Sequence, residues 1–187
     1  PISIDTYKPE VARAALDSGA VIVNDITGLR NPQMAKIIAR YKAGAVIMHM
    51  RGEPQTMQRN PVYYSLIDEI ILFFRKSLDT ALACGIPFEN IILDPGIGFG
   101  KTLEHNLEIV RCIKEFKILG RPLLLGVSRK SFIGTILNAD KDKRIFGTAA
   151  SVAVAVKEGV DFIRVHDVSQ MREVAKICDA LYKRQKR

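Results

Sequence analysis

One cadence constrains this chain more than any other feature: an amphipathic helix-like segment, a glycine, then a short apolar run that stops at a polar residue. The glycines are Gly19, Gly44, Gly85, Gly120 and Gly159. Each is placed to end a helix, because a residue without a Cβ enters the left-handed conformation at no steric cost. The runs that follow are AVIVND from Ala20, AVIMH from Ala45, NIILD from Asn90, PLLLGVS from Pro122 and DFIRVHD from Asp161, and ISID at Ile2 makes six. Their nearly continuous Val, Ile and Leu content suits parallel strands covered by helices. Lys8-Pro9, Asn31-Pro32 and Asn60-Pro61 mark helix starts, since Pro at the first helical position loses no needed hydrogen bond. The pattern predicts helices over 9–18, 31–42, 62–84, 104–118, 145–158 and 168–183.

Strict alternation of strand and helix means an α/β architecture, either an open doubly wound sheet or a closed barrel. The strand ends decide between them. Nearly every run ends in a group with chemistry: Asp5, then Asn24 and Asp25, His49, Asp94, Ser128 with Arg129, and Arg164, His166 and Asp167. An open sheet gathers such groups at one switch point, whereas a barrel carries every strand end to a single mouth. A TIM (β/α)8-type barrel is therefore expected, with Ser3 and Asp5, and Arg164 and His166, pointing inward as residues two apart do on a strand. A complete barrel needs eight strands and about 250 residues. The 187 residues hold about six βα units, strands 3 to 8 of such a barrel, and begin with Pro, so a preceding piece with two more units is expected.

With 48% hydrophobic residues and no linker or low-complexity stretch, residues 1–187 read as one domain with one core. The formal charge is +8, but Lys183, Arg184, Lys186 and Arg187 supply four of those charges. The aromatics lie mostly inside apolar runs rather than beside a basic stripe, so nucleic acid is not an expected partner. No apolar run approaches the roughly 18 residues of a membrane span, and no secretion signal opens the chain. Cys84, Cys112 and Cys178 are scattered and odd in number, which suits reduced thiols and a cytoplasmic setting.

The segment Asp94-Pro95-Gly96-Ile97-Gly98-Phe99-Gly100-Lys101-Thr102 nearly matches a phosphate-binding P-loop, but Pro95 stands where its first Gly is required. The dinucleotide pattern fails too, because the third Gly would be Lys101. What remains is a glycine-rich loop behind a strand-end carboxylate, which lets a flat ligand approach the backbone closely. Ser128-Arg129-Lys130-Ser131 follows the fifth strand and opens a helix, and Arg164 and His166 end the sixth. Barrels frequently bind phosphate at the loops after their last two strands. Asp5, Asn24 and Asp94 face these cations as acceptors, and a carboxylate takes two parallel hydrogen bonds from adjacent donors. The mouth is thus expected to have an acceptor half and a cationic half, for a donor-rich ring that carries a phosphate or diphosphate. A lone His49 is weak evidence for a metal, and His105 is expected to be exposed and without a role.

Taken in order, SIDT from Ser3, VND at Val23, MHMRG from Met48 with MQ at Met57, LDPGIGFGK from Leu93, GVSRKSFIG from Gly126 and RVHD from Arg164 closely resemble the dihydropteroate synthase family. The resemblance covers essentially the whole chain. It implies a (β/α)8 barrel, usually a homodimer, that joins 6-hydroxymethyl-7,8-dihydropterin pyrophosphate to p-aminobenzoate and releases pyrophosphate with Mg2+ present. Residue by residue, it implies that Asp5, Asn24 and Asp94 hold the pterin edge, with Asp94 as bidentate acceptor. Lys130 would contact the carbonyl side and Arg164 the ring face, while Arg164 and His166 hold the leaving pyrophosphate. Phe99, Lys130 and Ser131 would border the aminobenzoate, Met48 would pack near the ring, and Gly126 would complete the binding set. The resemblance places the catalytic work on Lys130, Arg164 and His166 and no metal ligand in this chain. In the family, two βα units with a magnesium-ligating Asn and two mobile loops precede SIDT. Without them a pterin pocket is expected to persist, whereas catalysis is not expected of these residues alone. The competing readings are a methyltetrahydrofolate-corrinoid methyltransferase-type domain, a non-catalytic pterin-binding remnant and a P-loop nucleotide hydrolase.

Overall fold

The computed structural model describes residues 1–182. Residues 183–187, with the four terminal charges and the last residue of the predicted 168–183 helix, lie outside the described residues. The elements are β1 (Ser3–Asp5), α1 (Pro9–Asp17), β2 (Ile22–Asp25), α2 (Pro32–Arg40), β3 (Gly44–Met48), α3 (Leu66–Ala83), β4 (Ile91–Asp94), α4 (Leu103–Arg111), β5 (Leu124–Leu125), α5 (Ser131–Leu137), α6 (Ile145–Lys157), β6 (Phe162–Ile163) and α7 (Val168–Tyr182). β1 to β4 pair in sequence order, all parallel, and β5 pairs with β6. A parallel bridge between Leu93 and Leu123 joins the two groups. The result is an incomplete TIM-type barrel of six parallel strands with the helices outside.

Alternation along each strand divides its side chains between two environments. Val23, Ala45, Ile47, Ile91, Leu93, Leu125 and Val127 are fully buried or nearly so, in one cluster with Met34, Ile38, Ile70, Phe74, Ile109 and Phe116 of the surrounding elements. This dry layer between sheet and helices is the core. The intervening residues Ile22, Asn24, Val46, Ile92 and Leu124 face the barrel interior, where a cavity of about 660 Å³ also meets Ser3, Asp5 and Arg164. In a complete barrel, layers of side chains fill that space.

Local chemistry moved several expected boundaries. Pro61 does not start α3: Asn60 is left-handed, at φ 48°. The helix begins at Leu66, where the Glu69 carboxylate accepts from the backbone N–H of Tyr64 at 2.7 Å and of Ser65 at 3.2 Å. Gly44 is not a helix stop either, since it lies in β3 and Lys42 takes the left-handed turn after α2 at φ 52°. α4 ends at Arg111, and the rest of the predicted 104–118 helix is a tighter 3₁₀ segment, Ile113–Leu119. The helix opened by SRKS is the seven-residue α5.

Candidate functional site

The strand ends converge on one mouth, and its centre is an ion pair across the barrel. The Arg164 guanidinium donates from Nη2 to Asp94 Oδ2 at 2.7 Å and from Nη1 to Asn24 Oδ1 at 3.1 Å. Asp94 is fully buried, and its other oxygen accepts from the Gly96 N–H at 2.8 Å. Such a buried carboxylate is tolerable only because both oxygens are satisfied. Asn24 is only 4% exposed, and its Nδ2 is a buried donor without a protein partner among the described residues. A donor in that position costs about 1–3 kcal/mol unless something accepts from it.

The expected separation into an acceptor half and a cationic half is not what the mouth shows. Arg164 reaches across and occupies the acceptors itself. It can do so because Gly126 has no side chain: a Cβ there would lie 3.0 Å from Arg164 Nη2 and 3.4 Å from its Cζ. Asp5 is exposed beside the interior cavity and caps no helix, since α1 starts after Lys8 without a side-chain cap. Asp25, at the end of the next strand, is structural: its carboxylate accepts from Thr27 N, Thr27 Oγ1 and Leu29 N at 2.7–2.9 Å and closes the turn after β2.

The glycine-rich loop packs directly on the loop after β3. A Cβ on Gly96, which sits at φ 70°, would collide with the His49 carbonyl oxygen. Met48 is fully buried beneath Gly96, on the strand position paired with Asp94. Phe99 presents its ring to Lys130 Nζ at 4.4 Å from the centroid, a cation–π contact. Burial, and then Arg164, push the Lys130 ammonium below its usual range, while Asp94 and Asp5 oppose that shift. Lys130 therefore stands among both carboxylates and Arg164. Ser131 is exposed at the first position of α5.

Lys101 is not a phosphate ligand of the P-loop kind. It is buried, and its Nζ donates to the Phe99 carbonyl at 3.0 Å and meets His49 Nδ1 at 3.0 Å. Burial, with Lys130 nearby, pushes the Lys101 ammonium down to about 7 against the pull of Asp94. Burial and the Lys101 charge push the His49 imidazole down to about 2. The pair staples the two loops together. His105, expected to be exposed, instead completes a capping box with Thr102 at the start of α4 and lies edge-on to Tyr63.

On the far side of the mouth, His166 Nδ1 lies 2.9 Å from Ser128 Oγ, which also accepts from the His166 backbone N–H at 3.2 Å. Arg129 forks onto Asp167 at 3.0 and 2.5 Å, holding that carboxyl below its usual range. Ser128, Arg129 and Asp167 stand out in the sequence as strand-end groups and Lys101 as part of the glycine-rich segment, whereas the contacts that make them positioning groups come only from the structure. Among the described residues, no three or more His, Cys, Asp or Glu side chains gather as a metal site. Magnesium demands near-octahedral oxygen ligands, and with Asp94 committed to Arg164 and Gly96 these side chains do not build a site for it. No described helix is long and apolar enough to cross a membrane.

Known proteins are similar to this chain in sequence and in fold. A dihydropteroate synthase from Synechocystis is 49% identical over 98% of this chain, which covers 64% of that protein. The dihydropteroate synthase of Thermus thermophilus in complex with 6HMPPP superposes with a TM-score of 0.93 at 43% identity, over 97% of this chain and 72% of that one. The same enzyme in complex with 4-aminobenzoate superposes at 0.92 with 43% identity, over 97% and 74%. The chain spans 64% to 66% of the length of three curated relatives that it matches. The family model described as pterin binding enzyme matches residues 1–166, the stretch that supplies every side chain of the mouth from Asp5 to His166, and the chain belongs to that family.

Proposed function

We propose that this chain forms the pterin and diphosphate site of a dihydropteroate synthase, a transferase that condenses 6-hydroxymethyl-7,8-dihydropterin pyrophosphate with p-aminobenzoate to dihydropteroate and pyrophosphate. The observation that carries the reading is the Arg164 bridge. A guanidinium, itself a planar fork of N–H donors, rests on Asp94 and Asn24 beside the unpaired Asn24 Nδ2. That is a surface for a planar ring with adjacent donors and one acceptor.

In this reading the pterin's neighbouring N–H groups take the Asp94 carboxylate, with Asp5 at the same edge, and a ring acceptor takes Asn24 Nδ2. Arg164, displaced from its acceptors, turns against the ring face and toward the diphosphate, while Gly126 leaves room for it. Met48 supports the ring from below, and Lys130 donates to its carbonyl side. Phe99, Lys130 and Ser131 border the aminobenzoate. Loss of pyrophosphate breaks the C–O bond and leaves a methylene cation conjugated with the ring. The aniline nitrogen then forms the new C–N bond and releases a proton. Arg164 and His166 neutralise the departing charge while Asp94 and Asp5 stabilise the cation, so the transition state gains more than the bound substrate does. The described side chains do not fit magnesium, with Asp94 committed to Arg164 and Gly96, and magnesium is assigned no step.

The catalytic set is Lys130, Arg164 and His166. The corrinoid methyltransferase reading has no use for this cationic rim, and a P-loop hydrolase has none for a buried, stapled Lys101. Residues 1–187 are read as one barrel domain working in the cytoplasm as part of a homodimer. An apolar face of α6 and α7 supports the dimer, with Val154, Ile177 and Leu181 exposed on it. The test is calorimetry of dihydropterin binding to the parent and to Asp94→Asn. One lost charged hydrogen bond should weaken binding by about 1.5–3 kcal/mol; equal affinities would remove Asp94 from the pterin edge and the reading with it.

A further inference from the structure

We infer that Ser128 is a positioning residue that fixes the tautomer of His166, holding the imidazole with its proton on Nε2 so that this nitrogen donates to the diphosphate. The inference rests on the function proposed above and deepens it. Ser128 Oγ meets both the backbone and the ring of His166: it accepts from the His166 N–H at 3.2 Å and lies 2.9 Å from Nδ1. Ser128 is 5% exposed. A hydroxyl carries one hydrogen and two acceptor sites. With one acceptor site filled by the backbone N–H, its hydrogen needs a partner, and His166 Nδ1 is the acceptor within reach. Were Nδ1 the protonated nitrogen, it would donate to Ser128 and leave the hydroxyl hydrogen buried and unpaired, at the cost such donors carry. The arrangement that satisfies every group makes Nδ1 the acceptor and leaves the hydrogen on Nε2. A hydrogen bond to one ring nitrogen that decides which of the two is protonated is a general way of aiming a histidine.

The ring is held on one side only. His166 is exposed, and its Nε2 has no protein partner among the described residues. The neighbouring side chains do not compete for it: Arg129 is forked onto Asp167, and Arg164 is turned to Asp94 and Asn24. An anionic tail arriving at the mouth therefore meets an N–H rather than a lone pair. In the opposite tautomer the same nitrogen would repel it.

The test is long-range nitrogen–proton NMR of the 187-residue chain at about pH 9, where imidazoles are neutral, with His166 assigned by a His166→Asn variant. Nδ1 should appear as an unprotonated acceptor nitrogen and Nε2 as the protonated one. Inorganic pyrophosphate should move the Nε2 resonance and leave Nδ1 in place. Ser128→Ala should give a mixture of tautomers and lose pyrophosphate affinity in proportion to the Nε2–H fraction lost, about twofold for an equal mixture, whereas Ser128→Thr should restore both. A parent spectrum with the proton on Nδ1 overturns the inference whatever the variants do, as does a folded Ser128→Ala protein with the parent's tautomer. A parent with the Nε2–H tautomer that takes up no pyrophosphate would leave the Ser128 lock supported and overturn the diphosphate site.

Discussion

At the scale of single residues, the mouth is built from side chains that would be costly alone and are satisfied in pairs. Asp94 and Asn24 both depend on Arg164, and Lys101 depends on His49 and the Phe99 carbonyl. The His49 pair carries a pH consequence. Unfolded, this imidazole takes up a proton near 6.5, whereas in the fold burial and Lys101 hold it off until about 2. Falling pH through that window therefore favours the unfolded chain, by about 1.4 kcal/mol per pH unit for one proton once well below 6.5. Thermal melts from pH 7 to 4 should drop more steeply for the parent than for His49→Gln, whose side chain does not titrate. Parallel slopes would show that His49 is not the buried neutral group described here. The candidate residues were legible in the sequence because strand-end polar groups have few structural reasons to recur. Their partners were not: Asp25 and Asn24 are adjacent and similar, yet one closes a turn and the other faces the cavity.

Among the elements, two glycines of the mouth separate folding from function. Gly96 lies in the left-handed region with the His49 carbonyl oxygen pressed against the place a Cβ would take, whereas Gly126 lies outside that region and the atoms nearest to a Cβ there belong to the Arg164 guanidinium. Gly96→Ala should lower stability by about 2 kcal/mol or more, through backbone strain and a clash that neither loop can relieve. Gly126→Ala should cost less stability than that, because only the flexible end of Arg164 has to give by a few tenths of an ångström, yet weaken pyrophosphate binding about tenfold, as expected when a charged hydrogen bond from the shifted guanidinium is lost. Denaturant titration and calorimetry on both variants check this, and similar behaviour of the two would contradict it. Helix and strand order followed directly from periodicity, while several ends did not. α3 starts late because Glu69 caps the backbone from within the helix, and α2 stops on a left-handed Lys42 rather than at Gly44. Both depend on local hydrogen bonding that hydrophobic pattern does not encode.

Over the whole molecule, the barrel is open between β1 and β6, each paired on one side only among the described residues. Apolar interior positions such as Ile22, Ile92 and Leu124 line a cavity there instead of filling layers. A second apolar surface lies outside, on α6 and α7, where Ile177 is 62% and Leu181 71% exposed. If the proposed homodimer uses that face, sedimentation velocity should give a dimer that Leu181→Glu converts to monomer without altering the far-ultraviolet circular dichroism. A monomeric parent, or a variant that stays dimeric, would place the contact elsewhere or remove it.

What the sequence determined by itself was the alternating α/β order, the barrel class and the set of strand-end side chains, because the period of apolar residues and the direction of parallel strands dictate which groups reach one mouth. What only the tertiary structure decided was which of those groups touch. Asp94 and Arg164 are 70 residues apart, and Asn24 and Arg164 are 140 apart. Such contacts depend on strand register, on the space left at Gly126 and on the cost of burying an unpaired charge. That physics turned an expected pair of opposed halves into a single bridged cluster.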